Sequence, residues 1–412
     1  MAERSSDLPT GTAVIGQSGG PTAVINQSLV GVALGLRRGL HASGHVTRVL
    51  GMRNGVRGLT EGRVSDMTGL DESMLDRVAH TPSAALGSTR DKPDANYCQR
   101  IFESCKKLDA RYFFYIGGND SSDTCRIVSE AAKAADYDLR CIHVPKTVDN
   151  DLVGNDHTPG YASAARFVAL AHMADGMDNA ALPGIKINVV MGRHAGFLTA
   201  AAAAARHEEH AGPHLVYVPE VPFITDRFVQ DVARVYDELG RCHIAVSEGI
   251  QDKDGVAIGA LLMGEEKDAH GNVQLSGSGA LGDQLSGLLK AKLTPEGGKP
   301  PRVRADTLGY LQRCYPDASP VDAREARMVG VAAAELAAQG HAGISITLER
   351  TSQIGPNETY QCRTGVQRLE DVAAKTRHMP PAYLDGHHDV SESFLQYVRP
   401  LLGDLPPFEL LE

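Results

Sequence analysis

A short apolar run that stops at a polar turn recurs five times along the chain. The runs cover residues 13–15, 112–116, 141–144, 185–191 and 243–247. The turns after them are Gly16-Gln17-Ser18-Gly19-Gly20, Gly117-Gly118-Asn119-Asp120, Pro145-Lys146-Thr147-Val148-Asp149-Asn150-Asp151, Gly192-Arg193-His194 and Glu248-Gly249. Alanine- or leucine-rich stretches of helical character follow three of them, at about 22–37, 121–135 and up to Arg206. Apolar strands alternating with helices predict an α/β fold whose mostly parallel sheets are covered on both faces. In such folds ligands lie at the carboxyl ends of the strands, where every one of these turns falls. Two α/β domains of similar plan are expected, with the chain crossing between them more than once; 412 residues suit that number.

A net charge of -10 argues against a nucleic-acid partner, which calls for a basic excess. It leaves room for a local basic pocket and anionic substrates. The 7 cysteines are scattered, odd in number and without zinc spacing, so they read as reduced thiols of a cytoplasmic protein. No apolar signal core opens the chain and no run of about 18 apolar residues occurs, so no membrane span is expected.

Taken singly, the turns keep two readings each. The glycines of residues 16–20 let backbone N–H groups approach an anion at a helix start, or simply allow a tight turn. No Gly-Lys-Ser/Thr follows, so this is not a P-loop. Residues 117–123 read as a capped helix start or as a phosphate-plus-Mg2+ site. Asp149 and Asp151 are two apart, so an extended segment points both to one side. Two carboxylates beside Lys146 suit a general base with a metal-linked partner, and also an ordinary polar turn. Arg193 is placed at a helix start, against the dipole preference, which favours an anionic ligand for it. Arg304 and Arg313 are placed near another strand end, where guanidinium groups fork onto phosphate or pair with surface acids. Gly277-Ser278-Gly279-Ala280-Leu281-Gly282 matches a dinucleotide pattern, but Arg302 and Arg304 stand where its acidic partner belongs, so it reads as a glycine-rich helix entry. Residues 265–272 and 295–301 are expected to be flexible.

In this order, from about residue 12 to 348, the motifs closely resemble the phosphofructokinase family. The carriers are Gly117-Gly118-Asn119-Asp120-Ser121, Pro145 to Asp151, Met191-Gly192-Arg193 and Leu308 to Arg313. The resemblance implies two Rossmann-like three-layer domains: residues 1–160 plus about 312–365 for the donor, about 161–311 plus 366–412 for the sugar phosphate. It implies Asp149 as the base that takes the proton of the sugar 1-hydroxyl, with Thr147 and Asp151 flanking the transferring phosphoryl group. Met191, Gly192 and Arg193 would hold fructose 6-phosphate, with Glu248 on its hydroxyls and Arg304, Tyr310 and Arg313 on its 6-phosphate. Gly19 and Arg90 fall on the donor side, and Arg193 also aids catalysis. Some 6-phosphate arginines come from a neighbouring subunit, so a homo-oligomer is implied, a dimer before a tetramer.

The donor follows from two positions. ATP-using members resemble Gly-Gly-Asp-Gly-Ser; here Asp120 stands at the second position after Gly-Gly, where a carboxylate would repel a nucleotide α-phosphate. Lys146 replaces a glycine and suits compact pyrophosphate as a point charge. The resemblance is therefore to the pyrophosphate-dependent members, acting reversibly with Mg2+ in glycolysis and gluconeogenesis; an ATP-dependent enzyme and a non-catalytic sugar-phosphate sensor are the alternatives. Asn119 stands where the family has a metal-associated Asp, and an amide oxygen binds Mg2+ more weakly. Tyr310 replaces a frequent His. Val30 and Leu34 stand at effector-binding arginine positions of bacterial ATP-users, which implies no such regulation.

Overall fold

The computed structural model describes residues 8–263, 280–355 and 359–408. Its strands are β1 Gly11–Gln17, β2 Val46–Met52, β3 Val64–Asp66, β4 Ala110–Gly117, β5 Arg140–Pro145, β6 Ile185–Val190, β7 Leu215–Tyr217, β8 Cys242–Ser247, β9 Val303–Thr307, β10 Ile344–Arg350, β11 Cys362–Arg368, β12 Leu384–Asp385 and β13 Asp389–Val390. The helices that matter below are α1 Ile25–Leu36, α2 Asn119–Ala134, α3 Tyr161–Ala181, α4 Phe197–Ala201, α5 Thr225–Leu239 and α6 Pro320–Ala338.

The chain divides into two compact units, each assembled from separate segments: Met1–Ser163, Arg313–Gln353 and Glu358–Arg377; and Ala164–Gln312, Ile354–Asn357 and His378–Glu412. The first holds a sheet in the order β11-β10-β5-β4-β1-β2-β3, parallel through its centre, with β3 and β11 antiparallel at the edges. The second holds a fully parallel sheet in the order β7-β8-β6-β9. The α/β class with mostly parallel sheets is as the sequence predicts. The stretch after residue 366 departs from it, because β11 pairs with β10 through Arg368 and keeps residues up to Arg377 in the first unit.

The central strands read as apolar runs because both faces are covered. Ile15, Phe114 and Ile142 pack on one side of the first sheet; Val14, Phe113 and Cys141 pack on the other. On the first side α1 lies so close to α6 that a Cβ on Gly31 would sit 2.3 Å from the Arg327 carbonyl oxygen. That contact buries Val30 completely and Leu34 almost so. Helix α1 begins at Ile25 rather than at Thr22, after a longer loop. Five of the seven cysteines are buried and all are free thiols. No helix among the described residues is long and apolar enough to cross a membrane. Residues 265–272 and Gly277 to Gly279 lie outside the described residues; a helix, Ala280–Leu293, starts directly after them.

Candidate active site

In the first unit the loops after β1, β4 and β5 meet, because these three strands are neighbours in the sheet. Gly19, with φ 77, takes a left-handed conformation that favours glycine, and its N–H donates to the Thr89 carbonyl at 2.8 Å. Ser88 Oγ donates to the Gly19 carbonyl at 2.6 Å, so the Arg90 loop is fixed against the glycine loop. Ser121 Oγ donates to Ser18 Oγ at 2.8 Å and joins the β4 loop to the same place. Gly117 admits no side chain there, since a Cβ would lie 2.0 Å from Ser121 Oγ.

Lys146 enters this cluster from β5. It is buried, and its Nζ donates to the Gly20 carbonyl at 2.8 Å. A Cβ on Gly19 would stand 3.1 Å from that Nζ, a tight approach that glycine avoids. Burial, together with the Arg313 guanidinium, pushes Lys146 down to about 8, partly opposed by Asp149 and Asp151. Arg313 lies over Gly20, 3.0 Å from where its Cβ would be. It therefore belongs with the Lys146 cluster in the first unit, whereas Arg304 and Tyr310 belong to the second. Asp120, at the start of α2, is exposed and pairs with Lys92 at 3.2 Å.

The Thr147–Asp151 loop is not the extended segment expected. Asn150 has φ 59, which turns the chain between the two carboxylates. Thr147 Oγ1 accepts from the Asp149 N–H at 3.1 Å. Burial, reinforced by the Asp149 carboxylate, raises Asp151 well above the usual carboxylate range. Asn119 Nδ2 donates to Asp151 Oδ2 at 3.2 Å, leaving Asn119 Oδ1 buried without a donor.

Beneath the loop lies a buried charge network. His157 Nδ1 faces Asp156 Oδ2 at 2.8 Å and its Nε2 faces Glu325 Oε2 at 2.6 Å. Burial pushes this imidazole down, but the two carboxylates overcome it and hold it up at about 9. Tyr360 donates to Glu325 Oε1 at 2.7 Å and Arg350 pairs with Asp156 at 3.4 Å. Thr158 Oγ1 donates to the Thr147 carbonyl at 2.9 Å, and the buried Asp322 carboxylate accepts from the N–H groups of Gly160 and Ser163. Arg377 N–H donates to the Asp151 carbonyl at 2.8 Å.

In the second unit Met191, Gly192 and Arg193 follow β6, and Glu248 follows β8, its neighbour. Ser247 Oγ donates to the Gly192 carbonyl at 2.6 Å, and Gln312 Oε1 accepts from the Met191 N–H at 3.3 Å. Gly249 is required here: a Cβ would lie 2.2 Å from the Arg193 carbonyl oxygen. Arg193 is exposed in the loop ahead of α4, not at a helix start, so the dipole reading of it fails. Arg304 is also displaced from its expected place. It is the second residue of β9 and pairs in register with Lys186 near the amino end of β6. That is about 16 Å along the strands from Met191. Tyr310 is half exposed.

Sequence reading missed Lys92, the Ser18–Ser121 bond and the His157 network. Lys92 had a local signal, one cation two positions after Arg90. The other two join residues more than a hundred positions apart and have no local signal.

Residues 12–337 match the model of the family described as Phosphofructokinase. A pyrophosphate–fructose 6-phosphate 1-phosphotransferase of Rhodospirillum rubrum is 54% identical over 396 residues, covering 95% of this chain and 94% of that protein. The enzyme of the same name from Halomonas elongata is 36% identical, covering 95% and 92%. A crystal structure of a pyrophosphate-dependent phosphofructokinase from Nitrosospira multiformis superposes with TM-score 0.83 at 32% identity, covering 97% of this chain and 94% of that one.

Proposed function

The chain belongs to the phosphofructokinase family, and on that premise we propose that it transfers a phosphoryl group reversibly from pyrophosphate to the 1-hydroxyl of fructose 6-phosphate. The products are fructose 1,6-bisphosphate and phosphate. The observation that carries the donor assignment is the buried Lys146 ammonium seated on the Gly19–Gly20 loop, with Arg313 beside it and the Asp120 carboxylate at the start of α2. A buried ammonium and a half-buried guanidinium on a short glycine loop suit a small, highly charged anion. A carboxylate at the next helix start opposes a longer polyphosphate chain.

Asp149 accepts the proton of the 1-hydroxyl as its oxygen attacks the terminal phosphorus. Lys146, Gly19 and Arg90 hold the pyrophosphate, and the leaving phosphate takes the electron pair of the broken P–O bond. Thr147 and Asp151 flank the transferring group. Arg193 with Met191 and Gly192 holds the sugar phosphate, Glu248 receives its hydroxyls, and Arg193 offsets developing charge. The orphaned Asn119 Oδ1 fits a divalent cation, and Asn119 would hold Mg2+ there. When bound, that ion neutralises charge on the phosphoryl oxygens.

Arg304, away from Met191 in its own chain, and the half-exposed Tyr310 are read as donors to the 6-phosphate bound by a second copy. A homodimer is the simplest assembly that allows this. We place Arg313 on the donor side, against the expectation that it clamps the sugar. The free thiols favour a reducing compartment, the cytoplasm.

The test supplies fructose 6-phosphate and Mg2+ with either pyrophosphate or ATP as sole donor. Turnover with pyrophosphate alone is expected, and Asp120→Gly should admit ATP. Turnover with ATP alone in the unaltered protein overturns the donor assignment, and silence with both overturns the reaction.

A further inference from the structure

Helix α5 and the β12–β13 hairpin bring three ligand-type side chains together in the second unit, none of them from the loops described above. The donor atoms of Asp231, His387 and His388 all lie within 4.8 Å of one another. His387 Nε2 is 2.7 Å from Asp231 Oδ2, and His388 Nε2 is 3.7 Å from Asp231 Oδ1. Gly386, with φ 62, makes the tight turn that lets two successive histidines reach one carboxylate. In a plain strand they would point to opposite faces.

We propose that Asp231, His387 and His388 bind one divalent transition-metal ion of the zinc type, which clasps the C-terminal hairpin to α5. Two imidazoles and a carboxylate are a donor set for zinc and its neighbours rather than for magnesium. The carboxylate is already oriented, since Tyr217 donates to Asp231 Oδ2 at 3.1 Å. The His388 backbone is fixed as well, its carbonyl accepting from the Val216 N–H at 2.7 Å. Both imidazoles are about a quarter to a third exposed, so a hydrated ion can enter and water can complete the sphere. The other gathering of this kind among the described residues is His157, Glu325 and Cys362. Both ring nitrogens of His157 are engaged by carboxylates, so that imidazole holds a proton instead of a metal.

The full chain, free of any affinity tag and stripped with a chelator, is titrated with Co2+ in a buffer without pyrophosphate. One equivalent should produce the visible absorption of four- or five-coordinate cobalt. Zn2+ should abolish the band, excess Mg2+ should not, and the thermal midpoint should rise with occupancy. Asp231→Asn and the double change His387→Ala, His388→Ala should remove the band over the range titrated. Tyr217→Phe, which keeps the three ligands, should weaken binding about tenfold. Pyrophosphate-dependent turnover reports that each variant is folded; should the double variant not fold, Asp231→Asn and Tyr217→Phe decide. No cobalt uptake below millimolar concentration overturns the site, as does binding unchanged in these variants. A thiolate-to-cobalt band lost in Cys362→Ser would move the ion to the other triad and also overturn it.

Discussion

Replacing Lys146 by methionine should make the protein more stable at neutral pH and useless with pyrophosphate. The ammonium is held down from 10.5 to about 8, chiefly by burial. That difference corresponds to about 3 kcal/mol against the charged form in the fold. Methionine removes this penalty and also the hydrogen bond to the Gly20 carbonyl, worth about 1 kcal/mol. The net gain at pH 7 is about 2 kcal/mol, a rise in the unfolding midpoint of about 2 to 4 °C. The sign reverses with pH in a defined window. Below about 8 the lysine is charged in both states, and the fold bears the whole penalty. Between about 8 and 10.5 the folded protein releases the proton while the unfolded chain keeps it, so wild-type stability rises relative to the variant. Above 10.5 the neutral lysine keeps its hydrogen bond and the wild type is the more stable. Thermal unfolding of both proteins at pH 7 and pH 10.5, without pyrophosphate, measures the difference directly. A variant no more stable at pH 7, or a difference that does not change with pH, refutes the reasoning. Pyrophosphate should reverse the order at pH 7, because only the wild type gains a partner for its buried charge.

Asp149→Ala should lower kcat by about 10^2 to 10^4 while the thermal midpoint stays within a few degrees; near-normal turnover would remove Asp149 as the base. His157→Gln leaves the buried Glu325 without this cation, while Asp156 keeps Arg350, a loss of about 3 kcal/mol read by denaturant unfolding. The stability His157 supplies is complete below pH 6.5 and fades as pH rises through about 9, so the variant and wild-type curves should converge in alkali. His172 and His243 stack at 5.1 Å with both imidazoles buried, and burial depresses both, His172 to about 4. Above 6.5 they are neutral in both states and contribute nothing; as pH falls from 6.5 toward 4 the unfolded chain gains protons the fold refuses. Unfolding should therefore ease steeply over that range, and His172→Phe should flatten the acid limb seen by calorimetry.

The sheet-forming runs were plain in the sequence because parallel strands buried on both faces are written as continuous apolar residues. Val14-Ile15 and Phe113-Phe114 are examples, each pair serving opposite faces. The positions of the loops followed, since each begins where such a run stops. What stayed hidden was set by torsions and by distant partners. Asn150 bends the Asp149–Asp151 segment through a left-handed turn that an L-residue rarely adopts, so alternation misled there. Arg304 lies at the amino end of a strand, not near its carboxyl end, because β9 begins at Val303; no apolar run marks that short, half-exposed strand in the sequence. Arg313 shares a sequence motif with Tyr310, yet the chain passes from one unit to the other between Gln312 and Arg313.

The insertion of β10 beside β5 has a consequence for the chain as it leaves the ribosome. Strand β5, whose residues are all buried in the finished protein, ends at Pro145, and its neighbour does not begin until Ile344. At usual translation rates roughly 200 residues take about 10 to 40 s to emerge. Throughout that interval an apolar strand edge, with its N–H and C=O groups unpaired, is open to any other chain. A nascent chain paused within the second unit is thus a template for aggregation, although every strand before the pause is correctly made.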